Sequence, residues 1–497
     1  MQVVIFTEVC HGGFGRYAGT YRIATELRER GLSVQVVEFF TKWTYEEIKE
    51  IIDKFVDYQT LLVGFSCTFL IKDGEQKERI QKNAARSKLM DVSETYNVMN
   101  AAFGRDDVFD IIDYIRSNSN AKIAVGGAKS TTLRGNEDMQ SNVDYIVTGQ
   151  ADASIHKIMD HIIFGKELNC DERLPRIAKV VDQSHYPVDN FTTSRIRFHE
   201  SDLIFPKEHL PMEIARGCIF KCAFCSYPLL NKKLWEFNRQ PKIIADDLRE
   251  ANFKYGSTGF MFADDTYNDS IDKVEQLHKE FTNLPFELEF STYARADLLV
   301  TKPHSAQLLY ESGMRSVFFG IESLNHKSGK TIGKGMDPEK LKDGLYKAKS
   351  TYGWNDIITT SGFILGLPYE TEESLMKTFE WLQTEDCPLD SYSPSPLRIS
   401  KNSSIGQNME RYGYKFNKNG KWESPWLSEE RAEEMAREWY KGFNKKKRTR
   451  FQFTFFNRMQ NLGWTLKDFD EGKWSIEESA RRKDVLKDKY YSGIMTL

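Results

Sequence analysis

Hydrophobic positions fall into two successive alternations of short apolar runs and amphipathic stretches. In the first 165 residues, Val3–Thr7, Ser33–Phe40, Thr60–Cys67, Lys122–Gly126 and Asp144–Thr148 read as strands. Most are continuous apolar runs, the pattern of parallel strands buried on both faces. Between them Tyr17–Arg30, Tyr45–Val56 and Asp106–Ser117 read as helices, the last with Phe109, Ile112 and Ile115 on one face. Strand and helix in turn predict an open, doubly wound parallel sheet of the Rossmann or flavodoxin-like kind. The polar stretch 72–105 reads as an insertion over one edge of that sheet.

Residues 166–208 lack periodicity, contain Pro175, Pro187 and Pro206, and read as a linker. A second alternation follows, with strands at Met212–Arg216, Gly259–Ala263, Glu287–Tyr293, Ser316–Ile321, Ile358–Leu365 and Leu389–Tyr392. Helical patterns fill the gaps at Lys242–Tyr255, Ile271–Thr282, Ser305–Glu311, Pro338–Tyr352 and Glu372–Thr384. Asp337 before Pro338 is an N-cap followed by the preferred first helical residue, and Gly313 stands where a glycine closes a helix. Six such units predict a partial (β/α)6 TIM-type barrel with its site at the strands' C-terminal ends. The expected domains are 1–165, a linker 166–208, the barrel 209–400 and a mostly helical C-terminal region 401–497. In that region Lys441–Arg450 is a basic run followed by Phe451, Phe453, Phe455 and Phe456.

Composition narrows the class. The 497 residues are 40% hydrophobic and 28% charged, which excludes a disordered chain and allows a core that needs no staple. Lys and Arg number 69 against 72 Asp and Glu, so no chain-wide basic footprint for nucleic acid exists. The longest apolar run, Leu61–Ile71, is too short for a membrane span, and the first residues carry no basic region or cleavage site. Seven cysteines, three of them within eight residues, suit thiolates in a reducing compartment, so a cytoplasmic chain without membrane partners is expected.

Those three cysteines carry the strongest chemistry. Arg216-Gly-Cys218-Ile-Phe-Lys-Cys222-Ala-Phe-Cys225 gives C-x3-C-x2-C directly after the first strand of the second alternation. Three thiolates on one loop can hold a [4Fe–4S] cube and leave one iron without a protein ligand, where four cysteines would close it. Zinc is the rival and would need a fourth ligand, for which His209 is the nearest preceding candidate.

The motif resembles the signature of the radical S-adenosylmethionine (SAM) superfamily, C-x3-C-x-Φ-C with Φ aromatic. Further segments agree: Phe262-Ala-Asp264-Asp265-Thr266, Ala294-Arg295-Ala296-Asp297, Gly320-Ile-Glu322-Ser323 and Gly362-Phe-Ile-Leu-Gly366-Leu-Pro368. These are similar to radical SAM enzymes with an N-terminal cobalamin-binding domain, the class B methyltransferase type. The resemblance implies that Cys218, Cys222 and Cys225 hold the cluster and that Phe224 lies beside the adenine. It further implies that Asp264, Arg295 and Glu322 face SAM, tasks that a carboxylate and a guanidinium suit. Asp265 and Asp297 stay open, and no catalytic residue is singled out.

In the first domain the resemblance points to cobalamin across the sheet's C-terminal edge, at Gly12, Gly13, Gly15, Gly126, Gly127 and Gly149. Glycines there either admit a flat ligand or simply make tight turns. His11 does not fit the D-x-H-x-x-G pattern of a lower cobalt ligand, so cobalamin is expected without histidine ligation. A dinucleotide is the rival, with Glu38 as ribose acid, but G-x-G-x-x-G is missing. The basic run and its phenylalanines could hold a nucleic-acid backbone or serve as a lid; a small-molecule substrate is favoured.

The implied activity is reductive cleavage of SAM to a 5′-deoxyadenosyl radical, served by an external flavodoxin- or ferredoxin-type electron donor. The implied outcome is cobalamin-dependent methylation of an unactivated carbon. The alternative is a cobalamin-independent rearrangement, oxidation or sulfur insertion with the first domain as scaffold.

Overall fold

Two six-stranded parallel sheets organise the chain. The computed structural model describes residues 1–9, 13–66, 105–127, 130–133, 136–171, 178–186, 191–227, 230–443 and 453–497. The first sheet has the order β2-β1-β3-β4-β5-β6. Its strands are β1 (Val3–Phe6), β2 (Val34–Val37), β3 (Leu62–Ser66), β4 (Lys122–Gly126), β5 (Tyr145–Thr148) and β6 (Lys179–Asp182). Every pairing is parallel. The order reverses between β1 and β3, the switch point where doubly wound sheets open a crevice beyond the strands' C-terminal ends.

β6 comes from the stretch read as linker. Its run is only four residues long, too short for a periodicity signal, and its partner β5 supplies the ladder that makes it a strand. The stretch 72–105, read as an insertion, falls outside the described residues except for Arg105.

The second sheet runs β12-β11-β10-β9-β8-β7, again wholly parallel. Its strands are β7 (Leu210–Glu213), β8 (Gly259–Ala263), β9 (Glu289–Ala294), β10 (Met314–Glu322), β11 (Ile358–Leu365) and β12 (Ser391–Pro396). Sequential neighbours with helices between them form the partial barrel that the pattern predicts. Phe262 and Phe290 face the flanking helix Ile271–Phe281, their rings 4.3 Å apart and Phe281 against both. The punctuation holds: Asp337 accepts from the Glu339 and Lys340 amides, and Gly313 has φ 98°. A Cβ at Gly313 would lie 1.9 Å from the Leu288 carbonyl oxygen, so no other residue fits that turn.

The C-terminal region is helical, with Glu429–Phe443, Phe453–Gln460 and Ile476–Thr496 as its main helices. Residues 444–452 of the basic and aromatic stretch lie outside the described residues. The helix Phe453–Gln460 packs across β8, β9, β10 and β11. Among the described residues, no helix is long and apolar enough to cross a membrane.

Candidate functional site

The cysteine loop leaves β7 through Arg216, which is held from both sides. Arg216 forks onto Asp152 of the first domain at 2.7 and 3.0 Å and onto Glu213 at 2.5 and 3.0 Å. It also donates to Gln150 at 3.0 Å and stacks over Phe191. Gly217 follows with φ 74°, and its amide donates to Asp265 at 2.8 Å. Burial, with Asp264 next to it, pushes the Asp265 carboxyl up to about 6. Asp265, left open by the sequence, is therefore the carboxylate that pins the loop.

Cys218, Cys222 and Cys225 are free thiols on that loop, Cys222 buried and the others partly so. Cys218 Sγ lies 3.2 Å from Thr266 Oγ1, and Arg295 Nη1 points at Cys222 Sγ from 3.8 Å. The loop is closed from outside by the Ala223 amide, which donates to Ile332, and by Gly333, packed against Cys222 Cα. Phe224 packs partly buried against the barrel core.

Among the described residues, no three His, Cys, Asp or Glu side chains converge on the site of one metal ion. A cube suits this arrangement, because each thiolate binds a different iron. A single zinc does not: His209 precedes β7 and Cys218 follows it, so the strand separates them. His209 lies instead against Asn457, and burial pulls its imidazole down to about 4.

The strand-end residues go different ways. Asp264 accepts from the Thr266 amide at 2.9 Å and pairs with buried Lys273 at 2.7 Å, beside Asp269. Arg295 forks onto Asp297. Glu322 sits at a bulge in the β10–β11 pairing with φ 68°, left-handed for a residue with a Cβ. Its carboxylate folds back over Gly320, where a Cβ would meet Glu322 Oε1 at 2.8 Å and Lys334 Nζ at 3.1 Å. Burial pushes the Glu322 carboxyl up, against the pull of Lys334 and Arg295. Lys334 donates to the Gly320 carbonyl at 2.6 Å. No strand pattern marks this lysine; a Gly-Lys-Gly turn beside the cysteine loop brings it in. Behind it, buried Glu370 accepts from Ser323, and burial pushes its carboxyl up to about 8.

At the first sheet's edge, Gly12 and His11 lie outside the described residues. Gly13 and Gly15 pack on Arg458, with a Cβ at Gly13 only 2.8 Å from Arg458 Cβ. A Cβ at Gly149 would strike Gln183. Gly126 has ordinary room beside Val147, and Gly127 turns with φ 114°. Glu38 is buried, accepts from Tyr21 at 2.7 Å and faces Arg16, so an internal network explains it. Met261 of β8 also touches the Gly15 position, so this edge faces the barrel.

Residues 212–382 match the Radical SAM superfamily. An uncharacterized methyltransferase of Pyrococcus horikoshii is 25% identical over 253 residues, 49% of this chain and 53% of that one. The chain spans about half the length of the curated relatives it matches. The radical SAM methyltransferase TsrM from Kitasatospora setae, with cobalamin and a [4Fe–4S] cluster bound, aligns with TM-score 0.66 and 16% identity. That alignment covers 97% of this chain and 99% of TsrM. The cobalamin-dependent radical enzyme OxsB, with aqua-cobalamin and SAM bound, aligns with TM-score 0.54 and 16% identity, over 83% of this chain and 56% of OxsB.

Proposed function

We propose that this chain, whose residues 212–382 match the Radical SAM superfamily, is a radical SAM enzyme that methylates an unactivated carbon of a small molecule, with a corrinoid as methyl donor. The observation that carries the reading is a juxtaposition. The first sheet's C-terminal edge faces the barrel, through Gly15, which follows β1, against Met261 of β8 and through Asp152, which follows β5, against Arg216 at the start of the cysteine loop. When bound, the cluster supplies the electron that cleaves SAM to methionine and a 5′-deoxyadenosyl radical, and the corrinoid supplies the methyl group.

The chain's own residues bind, orient and shield. Cys218, Cys222 and Cys225 hold the cluster, and Phe224 flanks the adenine. Glu322 and Lys334 form an acid–base pair of opposite charge for SAM's ammonium and carboxylate. Gly126 and Gly127 leave room for a flat ring at the sheet edge. The helix Phe453–Gln460 closes the interior and excludes water, and its Arg458 reaches Tyr293, which is 41% exposed within the barrel. An external flavodoxin- or ferredoxin-type donor completes the set.

A second reading is favoured by the packing of Gly13 and Gly149, whose free faces are filled by Arg458 and Gln183. On it the first domain is scaffold and the radical chemistry is cobalamin-free. Anaerobic reconstitution, mass spectrometry of SAM products and equilibrium dialysis against hydroxocobalamin separate the two. We expect bound corrinoid and loss of SAM cleavage in Cys218→Ala, Cys222→Ala and Cys225→Ala, each still folded. Cleavage without corrinoid binding would promote the scaffold reading; wild-type cleavage in any cysteine variant would end both.

A further inference from the structure

We propose that Arg295 is a positioning residue for the iron–sulfur centre: held by Asp297 and Phe220, its guanidinium sets a positive charge against the Cys222 sulfur and raises the centre's reduction potential. The proposal rests on the cluster reading of the cysteine loop and differs from the expectation that Arg295 binds SAM.

Three contacts hold the guanidinium. Its Nε and Nη2 edge forks onto Asp297, with Nε–Oδ1 at 2.9 Å and Nη2–Oδ2 at 2.5 Å. Its face lies on the Phe220 ring, Cζ 3.8 Å from the centroid, and Phe220 is itself on the cysteine loop between Cys218 and Cys222. Its remaining nitrogen, Nη1, stands 3.8 Å from Cys222 Sγ. The second paired edge, Nη1 with the other Nη2 hydrogen, includes the nitrogen turned to Cys222. The backbone is fixed as well: the Arg295 amide donates to Asn268 at 2.8 Å, and Asn268 returns a bond to the Arg295 carbonyl at 2.9 Å. Arg295 is 5% exposed, so water screens the charge little.

The physical effect follows from charge and geometry. An external low-potential one-electron donor delivers one electron, and the centre's net charge becomes more negative by one; no bond in the protein forms or breaks. Potentials of such centres depend on net charge, hydrogen bonds to the sulfurs and exposure. Asp297 lies on the far side of the guanidinium, so the pair presents its positive end to Cys222 and favours the reduced form. Thr266 sits at Cys218 in a similar position, but its hydroxyl donates to the Asp265 carbonyl at 2.6 Å and so is already engaged.

The test compares wild type, Arg295→Gln, Arg295→Lys and Asp297→Asn after anaerobic reconstitution. Iron and sulfide content come first, then midpoint potentials from dithionite titration followed by electron paramagnetic resonance, then SAM affinity. We expect equal iron loading and a midpoint that moves negative in Arg295→Gln and partly recovers in Arg295→Lys. It should move positive in Asp297→Asn, where the counter-charge is lost; SAM affinity of Arg295→Gln should stay within about twofold of wild type, a free-energy change below about 0.5 kcal/mol. An unchanged midpoint in a loaded Arg295→Gln protein overturns the proposal, as does lost SAM affinity at constant midpoint. If Arg295→Gln does not load, the sign in Asp297→Asn decides, and an unchanged or negative shift overturns it. A wild type that takes up no four-iron centre defeats the cluster reading itself, a result distinct from all of these.

Discussion

Asp264 and Glu322 both end barrel strands beside the cysteine loop, yet their surroundings assign them different work. Asp264 is locked to buried Lys273 and to the Thr266 amide, inside the protein. Glu322 is held in a left-handed backbone over Gly320, with Lys334 near its carboxylate. Removing one partner of a buried pair costs about 3–5 kcal/mol, and Asp269 remains to take up part of the Lys273 charge. Asp264→Asn is therefore expected to lose about 3 kcal/mol in urea unfolding while SAM affinity in the reconstituted protein holds. Glu322→Gln should do the reverse, weakening SAM binding with little change in stability. A loss of SAM affinity in Asp264→Asn without destabilisation would reverse the two roles. At this scale the spacing alone placed Cys218, Cys222 and Cys225 on one loop, where the structure has them as free thiols. The sequence did not mark Lys334, and it named Asp264 for SAM while leaving Asp265 open, because a tertiary approach decides both.

Among elements, most strands and most long helices could be read from the chain within a residue or two at their ends. β2, β7 and β12 end three or four residues from the reading, and the helix Asp152–Phe164 was not read at all. β6 and the short helices Asp297–Thr301 and His326–Ile332 went unread because they span too few residues for a period to register. Nothing in the pattern said that the helix Phe453–Gln460 would lie across β8 to β11 and meet the first domain. Its attachment is polar and specific. Asn461, just past the helix, accepts from the His209 amide at 2.6 Å and donates to the carbonyls of Phe14 and His209 at 2.9 and 3.0 Å. The Phe14 amide donates to the Arg458 carbonyl at 3.0 Å. Asn461→Ala leaves these backbone groups unpaired, at a cost of about 1–3 kcal/mol for each that stays buried. Gly13→Ala forces a methyl into the Arg458 backbone, which cannot swing aside as a side chain tip would. Both variants are expected to open the interface between the helix and the first domain, seen as faster amide exchange in residues 453–461 and a lower urea midpoint. Wild-type exchange there in both would mean that the helix is held by its barrel contacts alone.

For the molecule as a whole, one carboxylate ties the first domain to the start of the cysteine loop. Asp152 begins the helix after β5 and takes Arg22 of its own domain at 2.7 Å and Arg216 of the barrel at 2.7 and 3.0 Å. Arg216 adjoins Gly217, the start of the cysteine loop, so the docking of the domains and the placing of the loop share this contact. Burial opposes the charge on Asp152, but the two guanidinium groups outweigh it and hold the carboxyl down at about 2. The sign follows: a carboxyl depressed in the folded protein contributes stability that is complete above its unfolded value, near 4, and fades as pH falls through about 2. Asp152→Asn keeps the shape and removes the charge, leaving Arg22 with Glu26 and Arg216 with Glu213. Those remaining partners place the expected loss at the low end of a broken buried pair, about 3 kcal/mol at pH 7. The difference between wild type and Asp152→Asn should then narrow below pH 4, because the carboxyl of the unfolded chain binds a proton there while the folded one stays ionised. Urea midpoints of both proteins at pH 7, 4 and 3 measure it. A gap that stays constant across that range would show that Asp152 acts through its packing, and that charge does not hold the cysteine loop to the first domain.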